Sequence, residues 1–442
     1  MPRVGDVFQL LSGTLAVPNT TIQSAPYNAQ QNDWVTEANS PRPVSAGGTG
    51  ETTATAARES LGAIGAGDLA AADTKTAVVG TDSVVLIDSE DANANKRWLV
   101  SDMGTYLKSV VPALTADTRN RIVNPAMQIS QENGDTAGAG SPAGYYPADQ
   151  WRGSVSSTGT VTYSRILSTT PNGSPYRIRG TTGTIDTSIA ATEYMGIYQC
   201  IEGVRTVDFR WGTAQAKQVI LRFTVSCDVA GTFGGCIRNA AANRSYPFTY
   251  TITTEQISTD VAVTVIIPGD VTGTWPVNNT TSMELWFTFM AGSNWTAAPN
   301  AWGATNAIAP TGITNGMAVT LKSFYVSDVG LYLDPKGTGL APPWQMPDAA
   351  EELIACHRYW QRYAAPLLSA YGAASSEWYT TFPHPTPMRS SPSVSLGTVT
   401  YVNSSAAAVF DSPPEYTIIQ FTVTATGHAR IKPTPLTLNA RL

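Results

Sequence analysis

The segment VILRFTVSCDV, residues 219 to 229, puts Leu221, Phe223, Val225, Cys227 and Val229 on one parity and Arg222, Thr224, Ser226 and Asp228 on the other. Side chains of an extended chain alternate between two faces, so the pattern predicts a strand with one face in a core and the other toward water. The same alternation recurs in YPFTYTI through Tyr246, Phe248, Tyr250 and Ile252, in VAVTVII through Val261, Val263, Val265 and Ile267, and in MELWFTF through Met283, Leu285, Phe287 and Phe289. Gly, Pro and Asn turn signals separate these runs, which predicts a mainly β fold with a jelly-roll-like β-sandwich over residues 121–340. No repeat of fixed period accompanies them, which disfavours a solenoid or a propeller.

After the sandwich, PDAAEELIACHRY changes the pattern to that of a helix, with Asp348 as N-cap, Glu351 three residues on, and Leu353, Ile354 and His357 on one stripe. IQFTVTA returns to strand alternation through Ile419, Phe421, Val423 and Ala425, so residues 341–442 read as a smaller C-terminal β domain. Before the sandwich the chain is lean. Residues 1–40 carry turn signals and the isolated aromatics Phe8, Tyr27 and Trp34 without periodicity, and read as a docking arm. In residues 41–120, VVLIDSE and KRWLV flank a DANAN turn as two short strands, and a helix is expected from Ser101 toward Val110. The stretch RPVSAGGTGETTATAARESLGA, residues 42–63, supports only a short helix from about Ala54 to Leu61, N-capped by Thr52 or Thr53 and ended by Gly62. Such a helix buries too little surface alone, so the segment either packs against other copies of itself or serves as a linker.

Composition removes several function classes. Only 14% of the 442 residues are charged, the net charge is −6, and no block of Lys or Arg is present, so a nucleic-acid partner is not expected. Cys200, Cys227, Cys236 and Cys356 form no C-x-x-C pair and only three histidines exist, a set that does not point to zinc or to any cofactor. Cys227 reads as a buried free thiol, and a bond from it to Cys236 is conceivable but not implied. The first residues lack the apolar core of a signal peptide and no run has the ~18 apolar residues of a membrane span, so folding in a cytoplasm without membrane insertion is expected. The Asn-x-Ser/Thr sites at Asn172, Asn243, Asn279 and Asn294 then carry no glycosylation meaning. Catalysis is disfavoured as well. Glycoside hydrolysis needs two converging carboxylates, whereas Asp186, Glu193, Glu202, Asp208, Asp260, Asp270 and Glu284 are scattered singly and read as solvated charges. Binding has better candidates. The long loop 294–316 carries Asn294, Trp295 and Trp302, where indole stacking and amide hydrogen bonds suit a sugar, the alternative being that both indoles plug the sandwich end or a subunit interface. Tyr371, Trp378 and Tyr379 in SAYGAASSEWYTTF form a second candidate surface, again with packing as the alternative, and Trp286, on the polar parity of its strand, is expected to meet a neighbouring subunit.

PVSAGGTGETTATAARESLGA resembles the collar-type motif of bacteriophage tail-fibre proteins, with every element present from Pro43 to Gly62. SGTLAVPNTTIQSAPYNAQQNDW is similar to their virion-proximal arms. RIVNPAMQISQENG with YPADQW resembles the opening of their sandwich domain, GLYLDPKGTGLAPPWQMPDAAEELIACHRYWQRY its exit, and TFPHPTPMRSSPSV with LNARL their distal module. The resemblance implies an elongated homotrimeric fibre or spike located in the virion, joined to other virion proteins through residues 1–40 and attached to a bacterial surface polysaccharide or lipopolysaccharide. A head-decorating fibre or baseplate protein is the alternative it leaves open, and a polysaccharide depolymerase the second.

Overall fold

The computed structural model describes residues 117–442 throughout and, before them, residues 3–4, 7–8, 21, 24–39, 53, 56–57, 61, 79, 81–88 and 94–110. Its contacts divide the chain into two compact units, Met1–Asp102 and Met103–Leu442. In the first, β1 (Arg3–Val4) pairs with β2 (Val7–Phe8), α1 spans Ser24–Asn39, and β3 (Ser83–Asp88) forms an antiparallel pair with β4 (Ala94–Leu99) in which Val84 faces Trp98. This hairpin and the following α2 (Val100–Val110) stand where the sequence predicts them. The helix α1 does not follow from periodicity, because it has no apolar stripe: Tyr27, Trp34 and Val35 are all exposed. The glycine-rich run 42–50 and Gly62 lie outside the described residues. Of the short helix expected next to them, Thr53 does supply the N-cap contact, its Oγ1 accepting from the Ala56 backbone N–H at 3.1 Å.

The second unit begins with two six-stranded antiparallel sheets packed face to face. Their strands are β5 (Gly138–Ala139), β6 (Tyr145–Ala148), β7 (Trp151–Ser156), β8 (Val161–Leu167), β9 (Tyr176–Thr182), β10 (Tyr194–Glu202), β11 (Gln218–Cys227), β12 (Gly231–Asn239), β13 (Ser245–Ile252), β14 (Val261–Ile267), β15 (Thr281–Ala291) and β18 (Ser323–Asp334), with the small parallel pair β16 (Thr296–Ala297) and β17 (Ala309–Pro310) between the last two. One sheet has the order β13-β12-β15-β10-β7-β6 and the other β14-β11-β18-β9-β8-β5. The predicted inward parity holds: Leu221, Phe223, Val225 and Cys227 are buried with Phe248, Phe287, Phe289 and Phe324 in one core. Phe223 meets Phe287 edge-on at 4.8 Å, a geometry aromatic pairs favour.

The outward parity is less wet than alternation suggests. Thr224 and Ser226 of β11 are buried too, Thr224 beneath Asn172 and Asp328, while toward the strand's start Ala341 packs by Ile220 and Arg222 Nη1 donates to the Pro342 carbonyl at 2.8 Å. Thr224 Oγ1 and Asn172 Nδ2 both donate to Asp328 Oδ2, at 3.0 and 2.9 Å. Trp286 is likewise sealed by its own chain and not by another subunit: it stacks on Tyr198 at 4.0 Å and packs with Ile308 from the 294–316 loop.

Helix α3 (Ala349–His357) then starts on Asp348, whose Oδ1 accepts from the backbone N–H of Ala350 and of Glu351, as expected of an N-cap. Its packed side is not the expected stripe. Ile354 is exposed, whereas Cys356 and the following Tyr359 are buried against Val123, and Glu352 Oε2 accepts from the Asn124 N–H at 2.7 Å. The remaining strands are β19 (Trp360–Tyr363), β20 (Leu368–Gly372), β21 (Glu377–Pro383), β22 (Ser393–Ser395), β23 (Thr398–Val402), β24 (Ser404–Asp411), β25 (Tyr416–Val423), β26 (Gly427–Thr434) and β27 (Leu436–Asn439). They make three three-stranded sheets, β19-β27-β22, β20-β26-β23 and β21-β25-β24, around a core that includes Ile419, Phe421, Val423, Ile431 and Leu438.

The sandwich and this distal module meet through a polar junction. Asn124, at a positive φ of 54° that its short amide tolerates, donates from Nδ2 to the carbonyls of Ile129 and Asp149, while its own carbonyl accepts from Trp151 Nε1. Gln131 Nε2 reaches Asp149 and the Trp360 carbonyl. Glu202, fully buried at the end of β10, accepts from Arg358 Nε and Nη2 at 2.9 and 2.6 Å and from the Tyr359 hydroxyl at 2.8 Å.

Candidate functional site

The 294–316 loop lies along the sandwich and its two indoles part company. Trp295 sits edge-on to Tyr194 at 5.2 Å, beside the Tyr198–Trp286 stack, and its Nε1 donates to the Thr192 carbonyl at 2.8 Å. Trp302 joins a different cluster, edge-on to Trp211 at 5.1 Å and to Trp275 at 5.6 Å, with Nε1 donating to the Pro268 carbonyl at 2.8 Å. Both rings are half-buried, and each indole N–H is already engaged by backbone. Asn294 is exposed, held by its backbone N–H to the Ala191 carbonyl. The loop therefore brings neither Trp295 nor Trp302 to the other.

The distal candidates are open. Tyr371, Trp378 and Tyr379 are exposed to 60%, 38% and 47%. Trp378 lies against Gly372, so near that a Cβ there would fall 2.3 Å from the indole Nε1, so the glycine is what admits the ring. Tyr371 faces His428 across the β20–β26 pair, with ring centroids 5.1 Å apart. Tyr379 belongs to the neighbouring β21-β25-β24 sheet, where it meets Phe410 edge-on at 4.9 Å and donates its hydroxyl to Glu377 Oε2 at 2.9 Å, a bond that raises the phenol above its ordinary range. Phe410 and His428 are the partners in two separate exposed pairs, on different sheets, and escape sequence reading, since Phe410 stands at a register shift of β24 and His428 is an isolated polar position. Aromatic faces alternating with Glu, His and hydroxyl groups offer both stacking and hydrogen bonding to a polar ring.

The scattered carboxylates are not solvated charges. Asp208 pairs with Arg121, Asp260 with Arg177, Asp270 with Arg244, Glu284 with Arg238 and Glu202 with Arg358, each at 2.6–2.7 Å. Asp186 accepts from Ser157, Thr158 and the Ser188 N–H, and Glu193 from the N–H groups of Thr158 and Ala190. The cause of the misreading is physical: buried charge persists only where it is paired or hydrogen-bonded, and the partners come from distant strands. For Asp270, burial opposes ionisation, but the hydrogen bond from Arg244 and further donors bring its carboxyl below the usual range. All four cysteines are free, so Cys227 and Cys236 are not bonded, and burial pushes the Cys227 thiol up to about 12. Among the described residues no cluster of three or more His, Cys, Asp or Glu forms a metal set, and no helix is long and apolar enough to cross a membrane.

No family model matches the chain, and no curated protein matches it. Among solved structures it is similar to the enzymatically active domain of tailspike protein 4 of bacteriophage CBA120, at 11% identity and a TM-score of 0.27, over 49% of this chain and 21% of that one. It is similar also to the family 11 carbohydrate-binding module of a Clostridium thermocellum cellulosomal cellulase, at 11% identity and a TM-score of 0.23, over 47% of this chain and 96% of that one. A third is a xylan-binding domain from Paenibacillus barcinonensis, at 8% identity and a TM-score of 0.22, over 46% of this chain and 97% of that one.

Proposed function

We propose that this chain is a bacteriophage tail-fibre or spike protein that attaches the particle to a bacterial surface polysaccharide or lipopolysaccharide without cutting it. The observation that carries the binding part is the set of exposed aromatics of the distal module, Tyr371 with His428 on one sheet and Tyr379 with Phe410 and Glu377 on the next, with Trp378 also exposed. Sugar rings stack on such faces while their hydroxyls meet the polar groups. The virion part rests on the collar-type motif and the arm-like residues 1–40, which dock to the particle while three copies associate. Binding without cleavage is supported by the engagement of each candidate carboxylate with arginine, hydroxyl or backbone donors. Single contacts of this kind are weak, and three chains per fibre acting together raise avidity by ~10²–10⁴ where geometry permits.

The test is adhesion of the full chain to host cells and to their purified polysaccharide. Replacing Tyr371 and Tyr379 together by alanine is expected to weaken binding about tenfold or more, at ~0.5–1.5 kcal/mol for each lost aromatic contact, with the thermal melt unchanged. The polymer's size distribution stays constant on prolonged incubation. Unchanged adhesion would remove the distal surface as the site, and progressive shortening of the polymer would replace attachment by depolymerisation.

A further inference from the structure

On the outer face of the β13-β12-β15-β10-β7-β6 sheet, a shallow depression of about 210 Å³, open to solvent, is lined by Tyr146, Gln150, Arg152, Tyr198, Cys200, Arg441 and Leu442. We infer that it is an anion site that takes the carboxylate of an acidic sugar residue between Arg152 and Arg441.

The first reason is unmet hydrogen-bonding capacity. The Arg441 side chain is only 7% exposed, held between the Tyr146 and Trp360 rings at 3.8 and 4.0 Å, with Nη1 2.6 Å from Glu132. Its Nε and Nη2 are buried without an acceptor, and so is Nε of Arg152. Buried guanidinium donors without a partner are costly, so three of them around one depression call for an oxygen ligand there. Arg152 makes its hydrogen bonds through Nη2 alone, to the Pro142 and Ala143 carbonyls, and pairs with no carboxylate among the described residues.

The second reason is local charge. Arg152, Arg238, Arg389 and Arg441 lie around Cys200, whose thiol burial and, after it, the Glu284 charge push up to about 12 while Arg152, Arg238 and Arg389 pull it the other way. Of the carboxylates near this face, Glu132 is taken by Arg441 and Glu284 by Arg238, while Asp149, which also feels the Arg441 charge, accepts from Gln131. Arg389 bonds only to carbonyls, those of Asn279, Ala440 and Arg441. Arg152 and Arg389 are thus left with carbonyl partners only, in a chain of net charge −6. A planar carboxylate matches paired guanidinium donors better than a neutral hydroxyl does, and the Tyr146 ring offers a flank for the pyranose that bears it. That the carboxylate belongs to a sugar rests on the glycan-attachment reading; the anion site itself does not.

The experiment is calorimetric titration of the full chain with trigalacturonic acid, its methyl ester and neutral galactotriose, at low and high salt. The acid alone is expected to bind, with affinity falling as salt rises. Arg152→Gln is expected to weaken it at least tenfold and Arg152→Lys less, with melting curves and distal-face adhesion intact. Equal binding of acid and ester, or acid binding unmoved by Arg152→Gln, overturns the inference. If Arg152→Gln fails to fold, the ester and salt arms on the unaltered chain decide it. A chain that binds host polysaccharide but not the acid overturns this site alone. One that binds neither overturns the attachment reading with it.

Discussion

Glu202 is the residue on which the junction turns. It is fully buried and accepts three hydrogen bonds, two from the Arg358 guanidinium and one from Tyr359, both just past α3. Glu202→Ala strands both donors, and loss of one partner of a buried pair costs about 3–5 kcal/mol. Since Arg358 is 34% exposed, water recovers part of this and the lower end of that range is expected. Glu202→Gln keeps one acceptor and is expected to cost less. Urea denaturation of both variants measures the difference; equal losses would mean that the charge contributes nothing beyond shape. The sequence does not reveal this pair because its partners lie 156 residues apart and a single glutamate at a strand end looks solvated. Asp348 was legible for the opposite reason, its cap being made with the residues that immediately follow it.

At the scale of elements, strands with one face in a core were readable and those with both faces covered only half so. Leu221, Phe223 and Val225 take their predicted side, but nothing local tells that Asn172 and Asp328 cover Thr224 as well. The packed face of α3 was misread because Glu352, a charged residue, sits on it. Neither distal surface residue Phe410 nor the short β19 shows a pattern above its surroundings. One element carries a pH response. His384, just after β21, is buried, with Nδ1 bonded to the Pro414 carbonyl at 2.7 Å and Nε2 to Thr417 Oγ1 at 2.9 Å. The Thr417 hydroxyl in turn bonds to Ser412, so the neutral imidazole donates at one nitrogen and accepts at the other. Burial lowers its affinity for a proton below the ordinary 6.5. Because the folded value lies below the unfolded one, the stability it contributes is complete above about 6.5 and is lost as pH falls through the folded value. His357 is lowered in the same direction, also by burial. The melting temperature is expected to drop between pH 7 and 5, and His384→Gln, which offers an amide donor and an acceptor, to flatten that drop. An equally steep profile in the variant would assign the response elsewhere.

For the whole molecule, the expected assembly is a homotrimer. Val84, Tyr27 and Trp34 in the first unit, and Tyr401, Val402 and Val409 on the outer strands β23 and β24, are apolar surfaces that a lone chain leaves in water. Light scattering on the purified full chain is expected to give about three times 46.8 kDa; a stable monomer at micromolar concentration would refute it. The motifs that first marked this chain acquire a physical meaning at this scale. The Asn124, Gln131, Asp149 and Trp151 of RIVNPAMQISQENG and YPADQW are the hub of the junction, and α3 of the following motif closes onto it. That hub has a consequence for how such a chain varies. The distal module leaves through β19 and returns through β27, and these two strands lie hydrogen-bonded side by side, Trp360 opposite Asn439. Chain entry and exit therefore share one doorway, and Arg389 adds a further tie to Asn279 of the sandwich. A different β module with neighbouring ends is expected to graft at these two nearby points and leave Glu202, Asn124 and the sandwich core in place, so that its loops and surface can change wholesale while the sandwich keeps its own melting behaviour.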